Sequence, residues 1–338
     1  MNKNNYFDLE ESHQRQLLEQ VVGKIGLPPQ AIEKDIWVTA ILQLVFTLPF
    51  ADKLIFKGGT SLSKAWGVIN RFSEDIDLAV DRSLFGLEGD LTKRELKKLR
   101  KSSSVFVRED FVNALRQTLE KFGLNKFCKL EAESDGEGDK TYPEPRKLFV
   151  YYNSALTDAI DYIKPMVVLE IGSRSLSEPN EKIRIRSLIE CEFPSIQTSL
   201  IDVKVATALP SKTFLEKVFL LHELFSIPGH GMNANRKSRH FYDLYRMMNK
   251  DFALTAVKDD ELWETIRHHR EIFTSVRDMD YSPDIRKRLV LVPREDIIDN
   301  WRRDYDIMCQ AMIYGEKPTF NELMDAMREL ERRFRERG

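Results

Sequence analysis

Apolar residues recur along this chain with two different periods. Leu62, Ala65, Trp66 and Ile69 fall at i, i+3, i+4 and i+7, the spacing of one buried helix face. A few residues later, Ile76, Leu78 and Val80 alternate with Asp75 and Asp77, which puts the apolar side chains on one face of a strand and both aspartates on the other. Ahead of both, Leu54-Ile55-Phe56 breaks at Gly58-Gly59, and Thr60 or Ser61 follows as a suitable N-cap. The expected order is strand, glycine turn, helix, strand.

The flanking pattern is mostly helical on the N-terminal side. Phe7, Leu17, Leu18, Val21, Val22 and Ile25 mark an amphipathic helix over residues 6–25, ended by Gly26-Leu27-Pro28-Pro29. Residues 31–48 give a second helix, with Ile32, Ile36, Trp37, Ala40, Ile41 and Leu44 on one face. Lys34 and Asp35 in its first turn read as capping or solvated charges rather than active-site groups. Residues 81–104 are polar, with Lys93, Arg94, Lys97, Lys98, Arg100 and Lys101 on a short helix whose face reads as solvated, an RNA-phosphate contact being the alternative. A helix over 105–122 and strands over 127–133 and 148–152 follow, the two strands forming a hairpin with a long loop at 134–147.

Met166 to Gly172 reads as a strand with one charge, Glu170, inside it; a glutamate in a buried apolar strand needs a partner or a metal. Near residue 180 the pattern turns mainly helical. The expected architecture is α+β: a mixed-sheet core over 1–180 and a helical C-terminal domain over 181–338. In the latter, Phe214, Val218, Leu221 and Phe225 form a stripe with Lys217 beside it.

Composition narrows the class. The 338 residues are enough for two cores, and a formal net charge of −2 excludes a globally cationic nucleic-acid binder. The most apolar stretch, 36–50, is too short to span a bilayer. No signal-peptide pattern opens the chain, and Cys128, Cys191 and Cys309 are isolated, so a reducing cytoplasmic setting is expected.

A glycine turn at a helix N-terminus aims backbone N–H groups at an anion. Two carboxylates on one strand face repel each other, and a divalent cation relieves that; oxygen ligands suit Mg²⁺ or Mn²⁺. A phosphate cradle followed by a metal-binding pair is what nucleotide chemistry requires. Gly58, Gly59, Thr60 and Ser61 are thus candidate phosphate-binding residues, and Asp75 and Asp77 candidate metal ligands.

These residues also carry a resemblance. Gly58-Gly59-Thr60-Ser61 with Asp75-Ile76-Asp77 resembles the signature of the polymerase beta-like nucleotidyltransferase superfamily. The longer string from Lys57 to Ala65, then Arg71-Phe72-Ser73-Glu74-Asp75-Ile76-Asp77-Leu78, is similar to the AbiEii/AbiGii toxin family of type IV toxin–antitoxin and phage-abortive systems, to which the MenT toxins are related. The resemblance implies that Glu170 is a third metal-binding carboxylate. It implies that Lys217, in the third motif, contacts the nucleotide phosphates. Asp243, in a fourth motif after Arg239 and His240, either orients Lys217 or acts as a general base. The implied reaction is transfer of NMP from NTP to an RNA acceptor such as the 3′ end of tRNA, opposed by a cognate antitoxin. Nucleotidylation of a protein side chain and a non-catalytic NTP-binding or partner-binding module are the alternatives.

Overall fold

The computed structural model of the chain describes residues 5–136, 141–157 and 163–337. It divides into two compact units, Met1–Ala65 with Phe72–Ala208, and Trp66–Arg71 with Leu209–Gly338. The architecture is α+β.

The first unit holds helices α1 (Glu11–Ile25), α2 (Pro29–Val45), α3 (Gly58–Lys64), α4 (Lys93–Phe106), α5 (Val112–Lys121) and α6 (Leu188–Glu192) around seven strands. These are β1 (Leu54–Lys57), β2 (Asp75–Val80), β3 (Cys128–Ala132), β4 (Arg146–Tyr152), β5 (Met166–Gly172), β6 (Asn180–Arg184) and β7 (Lys204–Ala208). They form one mixed sheet in the order β3-β4-β5-β2-β1-β7-β6. The sheet continues past residue 180, the boundary expected from the change of pattern, because 180–184 and 204–208 pair as antiparallel strands and β7 lies parallel to β1. Residues 204–208, read from the sequence as part of the helical region, are therefore strand.

Alternation fixes which side of the sheet is dry. Ile76 and Leu78 on β2, Leu148, Val150 and Tyr152 on β4, and Val167, Leu169 and Ile171 on β5 are buried. Helix α2 packs against β2 and β5 and is buried on every side from Ala31 to Val45, not along one stripe. The other face carries Asp75, Asp77, Lys147, Phe149, Tyr151, Val168 and Glu170, which are only partly buried or exposed. The tip of the β3–β4 loop, residues 137–140, lies outside the described residues. The basic cluster sits on α4, which opens with a Thr92–Glu95 capping box, and Arg94, Lys97, Lys98 and Lys101 are exposed there.

The second unit is helical: α7 (Pro210–Ser226), α8 (Arg239–Met247), α9 (Asp251–Lys258), α10 (Asp260–His269), α11 (Ile298–Ala311) and α12 (Phe320–Arg335). Its core is aromatic, with Phe225 of α7 and Phe241 of α8 against Trp301, and Phe214 stacked on Phe334. Segment 66–71 belongs to this unit, where Asn70 O accepts from the Tyr242 hydroxyl at 3.1 Å and from Tyr314 N at 3.2 Å. No helix among the described residues is long and apolar enough to cross a membrane.

Candidate active site

The glycine turn is built around one close approach. Gly58 has φ +77°, and a Cβ added there would lie 2.1 Å from Oδ2 of Asp77. Only glycine fits, on both backbone and steric grounds. Helix α3 therefore starts at Gly58, with Lys57 as N-cap, and not at Thr60 or Ser61. Both hydroxyls point inward: Thr60 Oγ1 donates to Asp75 O and lies 2.8 Å from Ser73 Oγ, and Ser61 Oγ donates to Gly58 O at 2.8 Å. They brace the turn, Thr60 against β2 and Ser61 against Gly58, so neither hydroxyl is aimed outward.

Sheet register sets the acids in rows. Lys57, Asp77, Glu170 and Lys147 are successive partners across β1, β2, β5 and β4. In the neighbouring row stand Asp75, Val168 and Phe149. Burial, reinforced by the negative charges of Glu74, Asp77 and Glu170, pushes Asp75 up to about 6 despite the opposing pull of Lys34. Lys34 reaches Glu74 at 2.6 Å, and both side chains are buried. Asp35 accepts from Lys64 and, at 2.7 Å, from Leu188 N. Because α2 begins at Pro29, Lys34 and Asp35 fall in its second turn, and they are neither capping groups nor solvated: they form a buried ionic layer under the Asp-x-Asp strand.

Glu170 differs from expectation. It is not sealed in an apolar strand but 29% exposed, with Oε1 held by Lys147 Nζ at 2.6 Å. Among the described residues no group of three or more His, Cys, Asp or Glu side chains is already arranged to hold a metal. Asp75 and Asp77 supply oxygen donors of the kind a hard cation takes, and a cation there would oppose the burial and the acidic neighbours that raise Asp75. Glu170 could join them only by releasing Lys147.

In the second unit, Asp243 is fully buried and meets two cations. Arg71 grips both its oxygens, at 2.7 and 2.9 Å, and Lys217 Nζ lies 2.9 Å from Oδ2. Burial alone would raise this carboxyl, but Arg71 and Lys217 hold it far below the usual carboxylate range. An acid so tightly paired is a poor proton acceptor, so its geometry favours orienting Lys217 over acting as a general base. Lys217 is buried, which pulls its ammonium below the ordinary lysine value against the opposing effect of Asp243. Its Nζ also lies 3.3 Å from Nδ1 of His240. Burial and the neighbouring cations keep that imidazole neutral, so Nδ1 accepts from the ammonium. From the sequence alone Arg71, His240 and Glu74 have no role, and Lys34 only that of a capping or solvated charge. Arg71 stands 172 positions from its carboxylate, and nothing local announces that pairing.

A mixed sheet with a glycine turn, a short helix and an Asp-x-Asp strand on its open face is the nucleotidyltransferase fold. The chain is similar in structure to MenT4, a nucleotidyltransferase toxin from Mycobacterium tuberculosis H37Rv, with a TM-score of 0.52 and 16% identity, covering 97% of this chain and 88% of that one. No curated protein matches its sequence. The family described as "Nucleotidyl transferase AbiEii toxin, Type IV TA system" matches residues 41–328, and the chain belongs to that family. It is accordingly an NTP-dependent nucleotidyltransferase, the toxin half of a system whose other half is an antitoxin.

Proposed function

We propose that this enzyme transfers NMP from NTP to a hydroxyl at the 3′ end of an RNA such as tRNA, in the cytoplasm. The acceptor oxygen bonds to the α-phosphorus, the bond from that phosphorus to the bridging oxygen breaks, pyrophosphate leaves, and the hydroxyl proton passes to water. The observation that carries the reading is the geometry of Asp75 on the same face as Asp77 and beside the Gly58 turn, with Asp75 raised to about 6 by burial and, after it, by its acidic neighbours. Asp75 and Asp77 would hold Mg²⁺ or Mn²⁺, with Glu170 as a third ligand if freed. The cation would neutralise phosphate charge and lower the pKa of the attacking hydroxyl. Backbone N–H groups at Gly58, Gly59 and Thr60 orient the phosphates, while Thr60 and Ser61 side chains keep the turn rigid. In the second unit, Lys217, aimed by Asp243 and His240, is assigned to the triphosphate. Transfer would block use of the RNA in translation and be opposed by the antitoxin.

The test incubates each labelled NTP with total RNA and with cell lysate protein, using wild type and the Asp75→Asn/Asp77→Asn double variant. Label on RNA from wild type only is expected, with loss to below about 1% in the variant, as when groups acting only in the transition state are removed. Label on protein instead would replace RNA as acceptor, and label from the folded double variant would overturn the metal-site assignment.

A further inference from the structure

The open face of the sheet continues beyond the carboxylates into an aromatic surface. Phe149 stands in the row of Asp75 and Val168, and Tyr151 in the next row beside Met166. Their rings lie near-parallel, 30° apart with centroids at 6.1 Å. Tyr151 is 40% exposed. Two adjacent rings on the face that carries the acids, one of them exposed, offer a flat surface to a partner.

Its position says which. Neighbouring strands are about 4.8 Å apart, so Phe149 is about 10 Å across the sheet from Asp75, with β5 between them. The glycine turn at the end of β1 lies on the other side of β2. Attacking and leaving oxygens of a phosphoryl transfer stand roughly in line, so an acceptor must approach from the side away from the phosphate cradle. That side is the β5–β4 side. Lys129, paired in register with Tyr151 and 77% exposed along its side chain, adds a cation at the far edge; its ion pair with Glu131 at 2.6 Å is a surface contact and is readily exchanged.

We propose that Phe149 and Tyr151 form a stacking platform for the terminal bases of a single-stranded RNA acceptor, with Lys129 beside its backbone. This rests on the RNA-transfer reading above. Aromatic stacking tolerates every base, so the platform positions an RNA end without reading its sequence.

The test uses the full-length chain and a short fluorescein-labelled single-stranded RNA, followed by anisotropy, together with the same RNA lacking its 3′-terminal base. Tyr151→Ala, and Phe149→Ala with Tyr151→Ala, should weaken RNA binding about tenfold to a hundredfold and raise KM for the acceptor while KM for NTP stays put. Tyr151→Phe should bind as wild type does, and the RNA made abasic at its 3′-terminal position should bind wild type more weakly than intact RNA does, while losing little further affinity in the double variant. A thermal melt of each variant checks the fold, and Tyr151→Ala, at an exposed site, keeps the test decisive if the double variant is unstable. Unchanged RNA affinity in Tyr151→Ala and in a folded double variant would overturn the platform, as would wild type that binds no RNA. The Asp75→Asn/Asp77→Asn protein separates the two ideas: if it still transfers label the metal site is wrong, whereas its RNA affinity should be retained in either case.

Discussion

Two aspartates at the centre of two charge clusters are both raised by burial and are driven apart by their neighbours. Asp75 sits among Glu74, Asp77 and Glu170 and is raised to about 6; Asp243 sits between Arg71 and Lys217 and is lowered. The same side chain thus holds unbalanced negative charge in one unit and is fully compensated in the other. Asp243 is finished as folded, a fixed anchor for a lysine. Asp75 is left with acids around it and a raised value, the kind of perturbation that accompanies binding sites and that the proposed cation would relieve.

The largest effect should come from breaking the compensated cluster. Arg71→Met removes the bidentate partner of a fully buried carboxylate, and breaking such a pair costs about 3–5 kcal/mol. Urea melts should show this, and a melt within about 1 kcal/mol of wild type would mean that Lys217 alone compensates Asp243. The same measurement on Asp75→Asn should move the other way: removing one of several mutually repelling carboxylates should leave the midpoint unchanged or raise it.

Next in size is Lys217→Ala. Because Lys217 is buried, a stability loss alone does not reveal its role. If it holds the triphosphate, kcat/KM should fall about tenfold to a hundredfold, the worth of a charge-assisted phosphate contact, and the fall should appear in KM for NTP. Lys217→Arg should rescue only partly, since a planar fork does not replace a compact ammonium between Asp243 and His240. Steady-state transfer by the three proteins decides it: equal NTP KM values would confine Lys217 to the core.

The smallest effect is in pH. Asp75 must lose a proton to bind a cation, so divalent-ion affinity should fall as pH drops below about 6. Its folded-state value lies above the ordinary 3.8, so Asp75 itself costs stability as pH rises from about 4 to 6. Asp243 is depressed, so its contribution is complete above the ordinary value and lost only as strong acid is approached. Calorimetric Mn²⁺ titrations between pH 5 and pH 7, whose endpoints bracket about one unit around 6, check the first point. An affinity flat across that range would remove Asp75 from the cation site.

What could be read from the sequence follows from periodicity. The facing of Asp75 and Asp77 is set by the two-residue repeat of β2, and the turn by a glycine pair closing an apolar run. The start of α3 was misplaced because Thr60 and Ser61 are good caps in isolation, whereas the Gly58–Asp77 approach moves the helix forward. The buried charges of α2 escape a reading of the sequence because charges near a helix start are usually wet; here the helix starts earlier, at Pro29, and Glu74 and Lys64 arrive from elsewhere to pair with Lys34 and Asp35. The strand at 204–208 is hidden because β7 gains its identity from β1, far away in the chain, and from β6, on the other side of α6. Long-range pairing, not local preference, accounts for each miss.

The excursion of residues 66–71 into the helical unit has a consequence for how this gene can be cut. A fragment ending at Ala208 would carry Arg71 without its carboxylate, and one starting at Leu209 would carry a buried carboxylate without its guanidinium. Neither half is a self-sufficient module, so the two cannot be shuffled, swapped or expressed apart at a single junction. A working split would need segment 66–71 to be regrafted onto the C-terminal piece.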